Sequence, residues 1–159
     1  MTVAGIDPGK TGAMVILYPD DSTMVCRVPL QKLRGKEQPA WAKWWDNWDF
    51  ALGEVRPDLL LIEEVSARPG QGVTSMFNFG QTLGFIKALA AAGPCPFQFV
   101  TPAVWKGKMG LLKSDKNASR EMARRLLPSI AADIERVKDD GVAEAALLAY
   151  YGRQFILSR

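Results

Sequence analysis

Between the break Arg56-Pro57-Asp58 and the acidic pair Glu63-Glu64 lies an uninterrupted apolar run, Leu59-Leu60-Leu61-Ile62. Short and bounded by turn signals, it reads as a buried strand. A strand without a polar side needs cover on both faces, so the chain has to place layers on either side of a sheet. The preceding residues supply neighbouring strands. Thr2 to Ile6 is a short apolar segment closed by Asp7-Pro8-Gly9. Gly12 to Tyr18 is a second, and Thr23 to Val28 a third, with Pro19-Asp20-Asp21-Ser22 turning between them. Three strands joined by short turns form an antiparallel meander.

Helical signals follow. Gln31 to Gln38 reads as a polar connector, and Pro39 suits the first turn of a helix. Trp41, Trp44, Trp45 and Trp48 recur at spacings of three and four, with Leu52 after them. Such a stripe marks a helix packed on the sheet rather than a row of base-stacking rings. A second helix is predicted from about Thr74 to Ala92, stopped by Gly93-Pro94. Phe97 to Val100 is a fifth strand. Thr101-Pro102 opens a short helix carrying Val104 and Trp105, Ser114 caps a helix through Leu127, and the last helix runs from about Asp139-Asp140 to Leu157. The expected fold class is α/β: one domain over residues 1–159, a mixed five-stranded sheet with helices on both faces. That order of elements resembles the ribonuclease H fold.

Composition narrows the chemistry. The 159 residues include no histidine. Ser-His-Asp and Cys-His nucleophilic mechanisms are excluded, as are zinc sites that rely on imidazole. Cys26 and Cys95 have no CxxC partner and read as buried reduced thiols. The longest apolar runs, such as Ala88 to Ala92, fall far short of the roughly 18 residues of a membrane span. Met1-Thr2-Val3-Ala4-Gly5 lacks a basic region ahead of an apolar stretch, and a cytoplasmic protein is expected. The net charge is +3. Its distribution says more than its size. From Val104 to Arg125 there are seven basic residues (Lys106, Lys108, Lys113, Lys116, Arg120, Arg124, Arg125) against Asp115 and Glu121. A patch of that kind suits a polyanion such as a nucleic-acid backbone.

Acidic residues stand at the element boundaries. Asp7 closes the first strand and Glu63-Glu64 the fourth. Neighbouring side chains on a strand point to opposite faces, so one of the two glutamates shares a site with Asp7. Asp140 and Glu144, four apart on a predicted helix, lie on one face about one turn apart. Asp139 is a rival offset from that face. Carboxylates converging from two strand ends and a helix repel, and each raises its neighbours' pKa. A hard divalent cation with oxygen ligands cancels that cost. A pair of such ions can activate water against a phosphodiester and stabilise the leaving 3′-oxygen.

Gly5-Ile6-Asp7-x-Gly9-x-Thr11 also resembles the phosphate-binding start of actin-like ATPases and sugar kinases. Those close two large domains over a nucleotide, and this chain supplies one. Taken together, the motifs resemble those of RuvC-type Holliday-junction resolvases, closest to the phage-encoded and chloroplast-type branch. The likeness runs over nearly the whole chain: Gly5-Ile6-Asp7-Pro8-Gly9; Ile62-Glu63-Glu64-Val65; Pro69-Gly70-Gln71-Gly72-Val73 with Ser75-Met76-Phe77-Asn78-Phe79-Gly80; Thr101-Pro102-x-x-Trp105-Lys106 with Lys116 and Ser119-Arg120; and Asp140-Gly141-Val142-Ala143-Glu144-Ala145. In bacterial members the last two acids are three apart; here they are four apart.

The resemblance implies a nuclease that hydrolyses phosphodiesters in four-way DNA junctions by paired symmetric nicks, working as a homodimer. It selects Glu63 over Glu64. Asp7, Glu63, Asp140 and Glu144 would be the catalytic acids and ligate Mg²⁺ or Mn²⁺, two ions per site. Lys106, Lys113, Lys116 and Arg120 would hold phosphates. Gly70, Gln71 and Gly72 would enter the junction centre, and Phe77 and Phe79 would pack a dimer helix or wedge at an opened base pair. The expected setting is a bacterial or phage-infected cell. Action on forks or flaps, or non-catalytic binding of branched DNA, are the rival functions.

Overall fold

The computed structural model describes residues 1–9, 11–66 and 69–158. The side chain of Lys116 also lies outside the described set. The meander forms as the turn signals require: β1 (Val3–Asp7), β2 (Ala13–Leu17) and β3 (Thr23–Arg27), each antiparallel to the next. The apolar run forms β6 (Leu59–Glu63), parallel to β1, and β7 (Phe97–Val100) pairs parallel with β6. The sheet order is β3-β2-β1-β6-β7.

Both faces are covered. Ala4, Ile6, Met14, Ile16, Leu60 and Ile62 pack against α1 (Trp41–Val55) and α2 (Val73–Ala92). Trp44 and Trp48 are fully buried there, and Trp41 and Trp45 pack beside them against Phe85. The tryptophan stripe is core. On the opposite face, Val3, Val15, Leu17, Leu59 and Leu61 meet α5 (Asp140–Tyr151), α4 (Lys116–Leu126) and the short helix α3 (Pro102–Lys108). The α5 residues against the sheet are mostly small, and they let the helix axis come close. At Gly5 the approach is backbone to backbone. A Cβ built there would overlap the Ala145 carbonyl oxygen and lie 2.5 Å from the Ala149 nitrogen. Among the described residues no helix is long and apolar enough to cross a membrane.

Three expectations are corrected. Residues 31–38 are not a plain connector: β4 (Leu30–Leu33) and β5 (Lys36–Pro39) pair as a separate antiparallel hairpin, and Pro39 ends its second strand instead of starting α1. Asp115, not Ser114, caps α4, its Oδ1 accepting from the Ala118 backbone N–H at 2.9 Å. The last α-helix stops at Tyr151 and loosens into a π-helical turn, Gly152–Ile156. Between α4 and α5 the chain takes two 3₁₀ turns, Pro128–Ile134 and Val137–Asp139.

Candidate active site at the carboxyl edge of the sheet

Residue parity decides which acids meet. In the parallel register Val3 lies beside Leu59 and Gly5 beside Leu61. These residues face α5, so the two-residue period carries Asp7 and Glu63 to the α5 side as well. Glu64 belongs to the opposite side. It is exposed and lines a cleft of about 490 Å³ together with Gln71, Phe79 and Pro102.

Asp7 is the centre of the group. Burial, and then the negative charges of Glu63, Glu144 and Asp140, push its carboxyl well above the ordinary carboxylate range. The Gly9 backbone N–H, donating to Asp7 Oδ1 at 3.3 Å, opposes this only in part. All four acids proposed from the sequence therefore share one electrostatic neighbourhood. Asp140 starts α5, where the helix dipole favours a negative charge. Gly141 follows it, seated against the β1–β2 turn. A Cβ there would lie 2.7 Å from Asp7 Oδ2 and 2.5 Å from the Thr11 carbonyl oxygen.

Helix α3 holds two of the acids with adjacent residues. Buried Trp105 donates its indole N–H to Glu63 Oε1 at 2.9 Å. The Lys106 ammonium donates to Glu144 Oε1 at 2.7 Å, and the Ser119 hydroxyl lies 3.3 Å from the same oxygen. Lys106 also sits over the Trp105 ring, 5.2 Å from its centroid. The sequence reading gave no role to Trp105, Ser119 or Gly141. Their signal was adjacency: each is next to a residue chosen for its charge.

Asp139 is separated from the group. It is buried and bound to Arg136 through Nε (3.1 Å), Nη2 (2.9 Å) and the backbone N–H (2.9 Å), and to Arg27 Nη1 at 3.2 Å. The Arg136 hydrogen bonds, assisted by the Arg27 charge, hold its carboxyl at about 2. A depressed folded pKa stabilises the fold above the unfolded value near 3.8 and loses that contribution as pH falls toward 2. The two guanidiniums are partly solvated, so the expected loss is about 1–2 kcal/mol between pH 5 and pH 2. Urea unfolding across that range measures it, and Asp139→Asn should flatten that part of the profile.

The basic window is narrower at the surface than its sequence suggests. Arg120, expected to hold phosphate, is buried. Its Nη1 donates to the Glu135 carbonyl at 2.9 Å and its Nη2 to Asn117 Oδ1 at 2.7 Å. Arg124 donates to the Ile134 carbonyl at 2.7 Å. Both arginines tie α4 to the irregular stretch before α5, so Arg120 is withdrawn as a phosphate contact. Lys106 lies among the acids. Lys108, Lys113 and Arg125 are exposed. The phosphate role expected of Lys116 falls on a side chain outside the described residues. Gly70, Gln71 and Gly72 are exposed ahead of α2, with Gly70 at φ 86°. Phe77 is exposed and Phe79 half-buried.

Every candidate ligand is a carboxylate oxygen, the donor type that Mg²⁺ and Mn²⁺ take. The crowding at Asp7 is the cost that a divalent charge relieves, so the donor set fits such ions. Among the described residues, no group of three or more Asp, Glu, Cys or His side chains is arranged to hold a metal ion as it stands. Trp105 and Lys106 each draw one glutamate oxygen toward α3, and a cation would compete with Lys106 for Glu144.

No family model and no curated protein matches the chain. Solved structures do. The chain is similar to the T. thermophilus RuvC in complex with Holliday junction substrate, with a TM-score of 0.62 and 16% identity over 98% of this chain and 97% of that one. A second Thermus thermophilus RuvC structure gives 0.61 and 21% over 96% of each. The yeast mitochondrial Holliday junction resolvase Ydc2 gives 0.58 and 17%, covering 94% of this chain and 76% of that one. The fold is therefore the ribonuclease H-like α/β fold of RuvC-type resolvases.

Proposed function

We propose that the chain is a metal-dependent endonuclease that resolves four-way DNA junctions by paired symmetric nicks. The observation that carries this reading is Asp7, half-buried at one edge of the sheet, where the charges of Glu63, Glu144 and Asp140 all act on its carboxyl. The fold shared with RuvC and Ydc2 agrees with it. Asp7, Glu63, Asp140 and Glu144 would hold Mg²⁺ or Mn²⁺, two ions per site. Such ions, when bound, supply Lewis acidity toward the phosphodiester and a water activated for attack.

The chain's own residues set the rest. Trp105 fixes the rotamer of Glu63 from a fully buried position, so that ligand does not swing. Lys106 balances Glu144 and supplies a positive charge beside the scissile phosphate. Lys108, Lys113 and Arg125, all exposed, would hold the backbone without reading sequence. Gly70, Gln71 and Gly72, exposed ahead of α2, are the segment proposed for the junction centre. Symmetric nicks need two sites related by a two-fold axis. The exposed Val73 and Phe77 on α2 support a second copy of the chain as partner.

The test is a substrate panel in Mg²⁺ and in Mn²⁺: a four-way junction, a Y-fork, a flap, a linear duplex and an RNA–DNA hybrid. Paired nicks at symmetric positions of the junction, exceeding those on the linear duplex, are expected. Preferential cutting of fork or flap would move the assignment to another branched-DNA nuclease. Junction binding with no cleavage in either metal would leave only a binding module.

A further inference from the structure

Strand β3 runs parallel to β1, because both pair antiparallel with β2. Its last residue therefore leaves the sheet at the edge that carries the acids. The registers make this specific: Asp7 lies beside Ala13, and Ala13 beside Arg27. Arg27 is thus two strands, about 10 Å, from Asp7 in the same row. From this point the chain enters the β4–β5 hairpin. Its base is pinned by two backbone bonds, Val28 N–H to the Gly12 carbonyl at 3.3 Å and Ala40 N–H to the Pro29 carbonyl at 2.8 Å. The first of these reaches the same turn that packs on Asp7.

Beyond its base the hairpin is a bare ribbon. All four residues of β4 are exposed, and so are Arg34, Gly35, Lys36 and Glu37. The two strands pack extensively on each other and make no comparable contact with any other element of the described chain. They carry three cations, Lys32, Arg34 and Lys36, against one acid, Glu37. The two central turn residues both have positive φ, Arg34 at 51° and Gly35 at 74°. This is the two-residue type I′ geometry, in which Asn, Asp or Gly is the usual first residue. Arg34 accepts an unfavourable backbone region and thereby sets a guanidinium at the ribbon tip.

We propose that this ribbon is a second DNA-binding element, gripping a duplex arm next to the carboxylate site through phosphate contacts from Lys32, Arg34 and Lys36. A two-stranded ribbon fits the major groove of B-form DNA, and a tip guanidinium reaches its phosphates. The inference rests on the reading of the chain as a branched-DNA nuclease and adds an arm contact to it.

The test compares the parent chain with Lys32→Ala/Arg34→Asn/Lys36→Ala. All three side chains are exposed, and Asn keeps the positive-φ turn, so the thermal melt should not move. Anisotropy titrations of a four-way junction in Ca²⁺ across 50–200 mM salt are the primary measurement. Three lost phosphate contacts should weaken binding about tenfold or more and lower the slope of log K against log salt by about 2–3. Cleavage at saturating junction should persist, because the acids are untouched. Equal affinity and equal slope in the two proteins would overturn the ribbon assignment while leaving the nuclease reading intact. A parent that binds junction through the ribbon but never cleaves would sink the nuclease reading and keep the ribbon. No junction binding by the parent would remove both.

Discussion

Asp7→Asn is expected to lower junction nicking in Mg²⁺ or Mn²⁺ by at least about a thousandfold, the several kcal/mol that charge stabilisation by bound metal provides. Junction binding in Ca²⁺ should change little, because the substitution leaves untouched the cations proposed to hold phosphates. The amide matches the carboxylate in size, so packing against Gly141 and the β1–β2 turn is kept. It removes the charge on which Glu63, Glu144 and Asp140 all act. The folded state holds Asp7 at a raised pKa, so its ionised form opposes folding at neutral pH, and the melting temperature of the variant should equal or exceed the parent's. Lost activity with undiminished stability is the signature of a residue kept for chemistry. Glu64→Gln is the matched control. It alters an acid one residue from Glu63 but on the other side of the sheet, and nicking should stay near the parental rate. Parental nicking by Asp7→Asn would remove the carboxylate cluster from the mechanism.

The sheet is readable in the sequence because each of its strands is short, apolar and bounded by turn residues, and because the two-residue period fixes which side chains share a face. That same parity joins Asp7 to one glutamate of the pair, and the parallel register selects Glu63. Helical spacing favours Asp140 over Asp139, since Asp140 stacks one turn from Glu144, but it does not show where the Asp139 carboxylate goes. What takes Asp139 out of the group is Arg136, which binds its carboxylate through three hydrogen bonds, assisted by Arg27 from a strand more than a hundred residues earlier. Arg120 misleads for a related reason. Besides Asn117 on its own helix, its partners are carbonyls at the end of an aperiodic 3₁₀ stretch, which no periodicity in the sequence reveals, so it reads there as a solvated cation on a basic helix. The β4–β5 ribbon is hidden in the sequence because neither of its faces is buried. With no core to satisfy, its strands show no apolar alternation, and Arg34-Gly35 is the sole turn signal.

Gly141→Ala should damage both the fold and the site. A methyl group at that position would meet the Thr11 carbonyl oxygen at 2.5 Å, Asp7 Oδ2 at 2.7 Å and the Gly12 Cα at 2.9 Å. Two of the three are backbone atoms of the β1–β2 turn, which cannot rotate away as a flexible side chain would. Either the first turn of α5 lifts from the sheet or the Asp7 carboxylate is driven off its rotamer. Overpacking of this kind costs about 1–3 kcal/mol, so a clear drop in urea midpoint is expected. The larger effect falls on nicking, at roughly a hundredfold or more, because displacements near 1 Å at reacting groups cost that much. Gly5→Ala is the comparison that separates stability from geometry. Its methyl would strike the Ala145 carbonyl and the Ala149 nitrogen in the middle of the α5 contact, with no carboxylate among its nearest atoms. It should cost at least as much stability, yet any folded fraction should nick at a rate closer to the parent's. If Gly141→Ala, corrected for its folded fraction, nicks as fast as the parent, the close seat of α5 on Asp7 is packing alone and contributes nothing to the chemistry.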